Sequence, residues 1–390
     1  MSDFFLGYRR ENGSAGVRNH IAIIPSVFCA AKVAQRIALN VPGAIPFTHP
    51  VGCSQVGEDL EITAKTLIGI GRNPNFAGVV VVGLGCERFT PKELADGISG
   101  TGKMLESVVI QDEGDSIKAI DTGTRYARAM VQQASRERRQ EMAVSELMIG
   151  TNCGGSDTTS GLIANPALGI AMDRIVALGG SAILSELTEL LGTEHILARR
   201  AINEQVAQDI LQAIAAMEAR LLQQTQNSSN AKRKNLISTG NFDGGLSSVV
   251  EKSLGGMKKS GTVAQFVEVF KSSDAPTRKG LLLMDSPGHD GEVTTGQAAA
   301  GAQIVCFPTG RGTPTGFPGV PVIKITGNPK TYAKMSENID INGGKVITGG
   351  CSLQELGEEI YQEILAVASG KLTKAEAMGH DEQFCITRMP

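Results

Sequence analysis

Short apolar runs alternate with amphipathic stretches along most of this chain. Residues 20–26 are apolar and β-branched and predict a strand, and residues 29–39 carry helical periodicity. A short strand is expected at 43–47 and a helix at 59–69, closed by the turn Asn73-Pro74-Asn75. Phe76 to Val82 contains four consecutive valines, the mark of a strand buried on both faces. A strand at 107–110 and a long helix at 116–139 follow. The pattern restarts with a strand at 146–149, a helix at 167–178, a strand at 181–185 and a long helix at 194–224. Strands at 280–284, 303–307 and 322–326 and a closing helix at 352–368 complete it.

Repeated strand–helix units predict an α/β fold, with parallel sheets flanked by helices in Rossmann-like layers. The charge run Ser135 to Glu141 reads as a solvated helix end before a boundary. It divides the chain into an N-terminal α/β domain, 1–142, and a C-terminal α/β catalytic domain, 145–390. A polar linker is expected near 223–236.

Composition removes several classes of function. Aromatic content is 4%, with no Trp, which argues against stacking platforms for sugars or single-stranded nucleic acid. A net charge of −3 provides no basic field for nucleic acid or an anionic membrane. No leader or membrane-length apolar run stands out, and the 7 Cys have no disulfide-framework spacing. The expectation is a soluble cytoplasmic protein with metal-binding or catalytic thiols.

Chemistry gathers in loops that follow predicted strands. Thr151 to Gly161 packs Asn152, Cys153, Ser156, Asp157 and Thr158 among three glycines, directly after an apolar run. Polar loops at the carboxyl ends of strands are where α/β sheets place ligands. The plain alternative is a turn in which Asp157 caps a helix. Cys86 and Glu87 end the valine strand, and His49 and Cys53 flank a turn. Cys53, Cys86 and Cys153 could therefore converge on one metal, since thiolates select iron, zinc or iron–sulfur clusters. Glu186, Glu189, Glu194 and His195 form an acid/base cluster, in which His195 is equally readable as a solvated helix-start residue. Thr309 to Gly316, with Arg311, suits a carboxylate or phosphate. Lys324 lies in an apolar strand and needs a partner or a role.

Taken together these segments resemble the large catalytic part of the altronate and galactarate dehydratases, sugar-acid hydro-lyases. The resemblance rests on Gly7 to Gly13 with Gly16 to Asn19, Gly83 to Glu87, Thr151 to Gly161 with Ala164 to Pro166, Ser185-Glu186 with Glu194-His195, Asp243 to Leu246 with Glu251 to Gly255, and Thr309 to Gly312. Sulfolactate sulfo-lyase large subunits are similar. Two departures stand out: the small N-terminal domain of full-length members is missing, and Gly52-Cys53-Ser54 replaces their Gly-Cys-Gly.

The resemblance implies Fe²⁺- or Mn²⁺-dependent β-elimination from a hydroxy acid, giving a 2-keto-3-deoxy acid, with an iron–sulfur cluster as the alternative centre. It also implies a separate small subunit in an oligomeric enzyme. Release of sulfite from a hydroxysulfonate, or a non-catalytic subunit role, are the competing readings. Within this scheme Cys53, Cys86 and Cys153 are the metal ligands. Arg311 or Lys324 receives the substrate carboxylate, with Thr309, Asn152, Ser156, Asp157 and Thr158 beside it. His49 or His195 moves the proton, with Glu186 and Lys324 as further catalytic groups; the sequence does not choose between the two histidines.

Overall fold

A computed structural model describes residues 3–225, 237–382 and 384–388. Its strands are β1 (Phe4–Arg9), β2 (Ala15–Gly16), β3 (His20–Pro25), β4 (Ala44–Pro46), β5 (Phe76–Gly83), β6 (Met104–Val109) and β7 (Gln140–Ala143), then β8 (Met148–Thr151), β9 (Ser181–Leu184), β10 (Phe266–Lys271), β11 (Leu281–Asp285), β12 (Ile304–Pro308), β13 (Val322–Thr326) and β14 (Ile341–Asn342). One parallel sheet has the order β4-β3-β5-β6, and a larger one has the order β10-β11-β9-β8-β12-β13-β14, also parallel throughout. Helices flank both sheets, as the strand–helix alternation predicts.

The valine strand shows why the layers form. Its side chains alternate, so Val79 and Val81 enter one apolar cluster while Val80 and Val82 enter another. The first cluster includes Leu67, Ile70, Leu94 and Ile98 of the helices Gly57–Arg72 and Pro91–Ser99. The second includes Ile37 and Ala127 of the helices Ala31–Leu39 and Ser116–Ala134. Helix Pro91–Ser99 starts with a reciprocal cap, in which the Thr90 side chain accepts from the Glu93 backbone and Glu93 accepts from the Thr90 backbone.

The clusters do not respect the division between the sheets. The first also takes in Val305, Phe307 and Phe317 from the second half and Ile386 from the C-terminal tail. Phe384 packs edge-on against Phe47 at a centroid separation of 5.1 Å.

Three expectations are corrected. The helix from Ser116 ends at Ala134, and the charge run leads into β7, which pairs antiparallel with β1 in a small sheet β2-β1-β7. Arg139 is the cause: its guanidinium donates to the carbonyls of Leu6, Val17 and Ala368 and so ties three segments together. The helix expected at 194–224 is two, Glu194–Ala198 and Glu204–Thr225. Arg200 sits in the break and donates to the carbonyls of Ser260, Gly261 and Ala264. Finally, the helix Leu353–Ala368 is not the last, because Lys374–Met378 follows it. Of the polar linker expected near 223–236, residues up to Thr225 belong to the helix Glu204–Thr225, and 226–236 lie outside the described residues. Among the described residues no helix is long and apolar enough to cross a membrane.

Candidate active site

The larger sheet reverses its strand order at its centre. From β8 the chain moves outward to β9 and beyond, then returns so that β12 lies on the other side of β8. Loops at the carboxyl ends of these strands enclose a crevice at such a reversal. Here Gly154 and Thr309, after β8 and β12, form a parallel bridge. A cavity of about 260 Å³ opens beside it. Cys153 and Gly154 after β8, Glu189 after β9, Gly288 and Asp290 after β11, and Lys252 contribute to its wall.

A buried chain of alternating charge runs inward from the floor, where Cys153, Glu189 and Lys252 line the cavity and Lys259 and Glu186 lie behind them. The Cys153 thiol donates to Glu189 Oε2 at 2.9 Å and accepts from Lys259 Nζ at 3.0 Å and Lys252 Nζ at 3.5 Å. Lys259 pairs with Glu186 through a short contact, and Lys252 pairs with Glu189 at 2.9 Å and also donates to Ser156. Lys259 is 1% exposed and Glu186 0%. Two ammoniums and two carboxylates out of water would be costly alone and hold together only as pairs. Glu186 Oε1 is buried and has no hydrogen-bond partner among the described residues.

The local chain conformation is built to deliver these groups. Glu186 adopts φ +66°, a left-handed conformation that costs a non-glycine residue about 1–2 kcal/mol. Ser286 Oγ accepts from its N–H at 3.0 Å, and its own carbonyl accepts from the Glu189 N–H at 2.7 Å. The strained turn therefore aims Glu186 and Glu189 at the same thiol. Lys259 arrives from the turn Met257–Ser260 and Lys252 from the helix Val249–Gly256.

Burial and neighbouring charge tune the acids apart. Burial, together with Glu189, raises the Glu186 carboxyl to about 7. Burial pushes Glu189 the same way, but Lys252 and Lys259 outweigh it and hold that carboxyl below its ordinary value. Burial and the two glutamates push the Cys153 thiol up to about 12, so it stays a neutral donor. Burial opposes the charge on both lysines, yet Cys153 and the glutamates hold their pKa values above the ordinary lysine value. Asp290, at the rim, is raised to about 6 by burial and by Glu189.

Of the expected site residues, Cys153, Ser156 and Glu186 are brought together here. Asn152 braces the floor: its amide donates to Asp290 O and Thr294 Oγ1, and its carbonyl accepts from the Cys153 N–H. Asp157 accepts from the Ser160 N–H and from Asn328 Nδ2, the helix-start arrangement weighed above. Thr158 is exposed, and Thr309 is buried, accepting from the Gly312 N–H. Arg311 is exposed, pairs with Asp243 at 3.2 Å and lines a neighbouring cavity of about 350 Å³.

His49, His195 and Lys324 do not line the Cys153 cavity. Both ring nitrogens of His49 face backbone groups of Pro25 and Val51, and burial lowers its pKa. His195 is exposed. Lys324 donates to the carbonyls of Pro314 and Thr315. Cys53 and Cys86 are exposed, in the loops that follow β4 and β5 of the smaller sheet, and do not join Cys153 in one donor group. Nothing in the sequence singles out Lys259 or Asp290. Lys258-Lys259 reads as a surface pair, and only the packing of its turn reveals which lysine is buried.

The donor atoms of Cys153, Glu186 and Glu189 lie within 4.8 Å of one another, close enough for a metal. The set does not fit one as it stands. Lys252 and Lys259 already contact all three side chains, so the cationic positions are taken by ammoniums.

Comparison with known proteins agrees along the whole chain. Residues 144–390 match the family model "D-galactarate/Altronate dehydratase, C-terminal", and residues 7–135 match "D-galactarate dehydratase/Altronate hydrolase, second domain". The chain is 39% identical to (2R)-sulfolactate sulfo-lyase subunit beta of Chromohalobacter salexigens, over 99% of this chain and 97% of that one. It is 36% identical to altronate dehydratase of Bacillus subtilis, over 95% of this chain and 75% of the relative. It is also 36% identical to galactarate dehydratase (L-threo-forming) of Escherichia coli, over 94% and 73%. With this crevice at its centre, the chain is a lyase and belongs to the D-galactarate/altronate dehydratase family.

Proposed function

We propose that the chain dehydrates a sugar acid of the altronate or galactarate type to a 2-keto-3-deoxy acid. The observation that carries this reading is the buried Glu186–Lys259–Cys153–Glu189–Lys252 chain, with one carboxylate oxygen left unpaired at its end. Elimination next to a carboxylate needs a base for the α-proton and an acid for the departing hydroxyl. A carboxyl poised near 7 serves both steps in turn, because it is about half ionised at neutral pH. Glu186 is buried behind the cavity wall, so it takes up the α-proton through the Glu189–Cys153–Lys259 chain, of which Glu189 faces the cavity, and later returns it to the leaving oxygen by the same route. An ammonium has three donors, and Lys259 uses two of its own on Cys153 and Glu186. Lys259 does not line the cavity, and its charge acts from behind the wall on the negative charge that develops on the substrate carboxylate. Arg311, in the adjacent cavity, receives the far end of a longer acid.

The second reading is sulfite release from a hydroxysulfonate. It is favoured by the 39% identity to the Chromohalobacter sulfo-lyase subunit. That relative's name also supports a partner: we propose that this chain works with a smaller subunit. Incubation with a panel of sugar acids and hydroxysulfonates, with and without that subunit, tests both readings through the product formed, a 2-keto acid with or without sulfite. In Glu186→Gln, exchange of the α-proton with solvent deuterium falls by about 10²–10⁴. Wild-type exchange in that variant would remove Glu186 as the base.

A further inference from the structure

Three side chains of types that ligate metals, His289, Glu292 and Cys385, meet beside the Cys153 cavity, and the reaction scheme above uses none of them. His289 immediately precedes the helix Asp290–Ala299, and Glu292 lies in its first turn. Cys385 comes from the C-terminal tail. Their donor atoms all lie within 4.8 Å of one another, with His289 Nδ1 and Glu292 Oε1 3.8 Å apart. A metal held about 2.0–2.3 Å from imidazole, carboxylate and thiolate draws its ligands slightly closer than this, which rotation of the exposed His289 side chain can supply.

The tail holds its cysteine there firmly. The Cys385 N–H donates to Thr295 Oγ1 at 2.9 Å, on the same helix. Phe384 packs edge-on against Phe47, and Ile386 is buried in the shared apolar cluster. Cys385 is thus fixed between two anchors and held against Thr295, 90 residues earlier in the chain. The residues on either side of His289, Gly288 and Asp290, both line the Cys153 cavity.

The geometry points to a site for one divalent transition metal on His289, Glu292 and Cys385. One imidazole, one carboxylate and one thiolate are a donor set for zinc or ferrous iron before manganese, because the thiolate is soft. Three protein ligands leave a coordination position open, the arrangement of sites that bind a small molecule rather than brace a fold. Metal binding here stands independently of the reaction proposed above.

Titration of the reduced full-length chain with Co²⁺ tests it. One equivalent should produce a thiolate-to-cobalt charge-transfer band. The band should vanish in Cys385→Ser and persist in Cys153→Ser. In competition titrations with Zn²⁺, His289→Asn and Glu292→Gln should each weaken binding by at least about tenfold. Both positions lie at the surface end of the helix, so these variants should keep the wild-type melting temperature and keep the test valid if Cys385→Ser misfolds. Absence of a thiolate band in the wild type, its survival in Cys385→Ser, or unchanged Zn²⁺ affinity in the His289 and Glu292 variants would overturn the site.

Discussion

Replacing Lys259 by Met removes one ammonium from the buried chain while roughly keeping its volume. The expected effect depends on pH in a way that identifies Glu186 as the cause. In the wild type the Glu186 carboxyl is raised to about 7, against an unfolded value of about 4.3. A raised carboxyl loses stability as pH climbs from the unfolded value to the folded one, and contributes no further change above that. Lys259 is shifted upward, so its stabilising charge is present throughout neutral pH. The wild-type melting temperature should therefore be nearly flat in this contribution above pH 7.

Without Lys259 the folded Glu186 keeps its proton to higher pH. The two proteins then diverge by about 1.4 kcal/mol per pH unit, or roughly 2.7 kcal/mol between pH 7 and 9. The total loss at pH 9 should approach the 3–5 kcal/mol or so typical of breaking a buried pair. At about 2 °C per kcal/mol for a chain of this size, scanning calorimetry should show the gap in melting temperature widen by roughly 5 °C across that window. Adding Glu186→Gln to the variant removes the titrating group and should abolish the widening. Parallel melting profiles of wild type and Lys259→Met from pH 6 to 9 would refute the reasoning.

Two further outcomes are expected. Ser54 sits at φ +62°, a conformation that favours Gly, so Ser54→Gly should stabilise the fold by about 0.5–1 kcal/mol, seen as a small rise in melting temperature; a fall would mean that the Ser54 Oγ hydrogen bond to Cys53 O outweighs the strain. His195→Asn should leave kcat/KM within about twofold of wild type, because His195 is exposed and does not line the Cys153 cavity; a hundredfold loss would restore it as the base.

The parallel sheets were readable because a strand buried on both faces announces itself, as Val79 to Val82 do. Loops were readable where glycine and small polar residues follow such a run, and this led to Cys153, Ser156 and Glu186. Strands β2 and β14 are two residues long, and β7 grows out of a charge run, so neither period nor propensity marks them. The convergence of three thiols failed for a topological reason. Ends of strands in different sheets look alike in sequence, yet Cys86 belongs to the smaller sheet and Cys153 to the larger. Lysines posed the converse problem: Lys252 and Lys259 acquire meaning only when Glu186 and Glu189, more than sixty positions earlier, come to face them.

The apolar cluster shared by the two sheets has a consequence for biosynthesis. Ala22, Ile24 and Phe76 leave the ribosome early, but Phe307, Phe317 and Ile386, which complete their packing, are made last. The helices Gly57–Arg72 and Pro91–Ser99 cover part of this face of the first sheet early, but the remainder must wait until nearly the entire polypeptide has been synthesised. Nascent chains halted before residue 298 should therefore expose that face to chaperones, and its release should coincide with translation of the final segment rather than with completion of the first half.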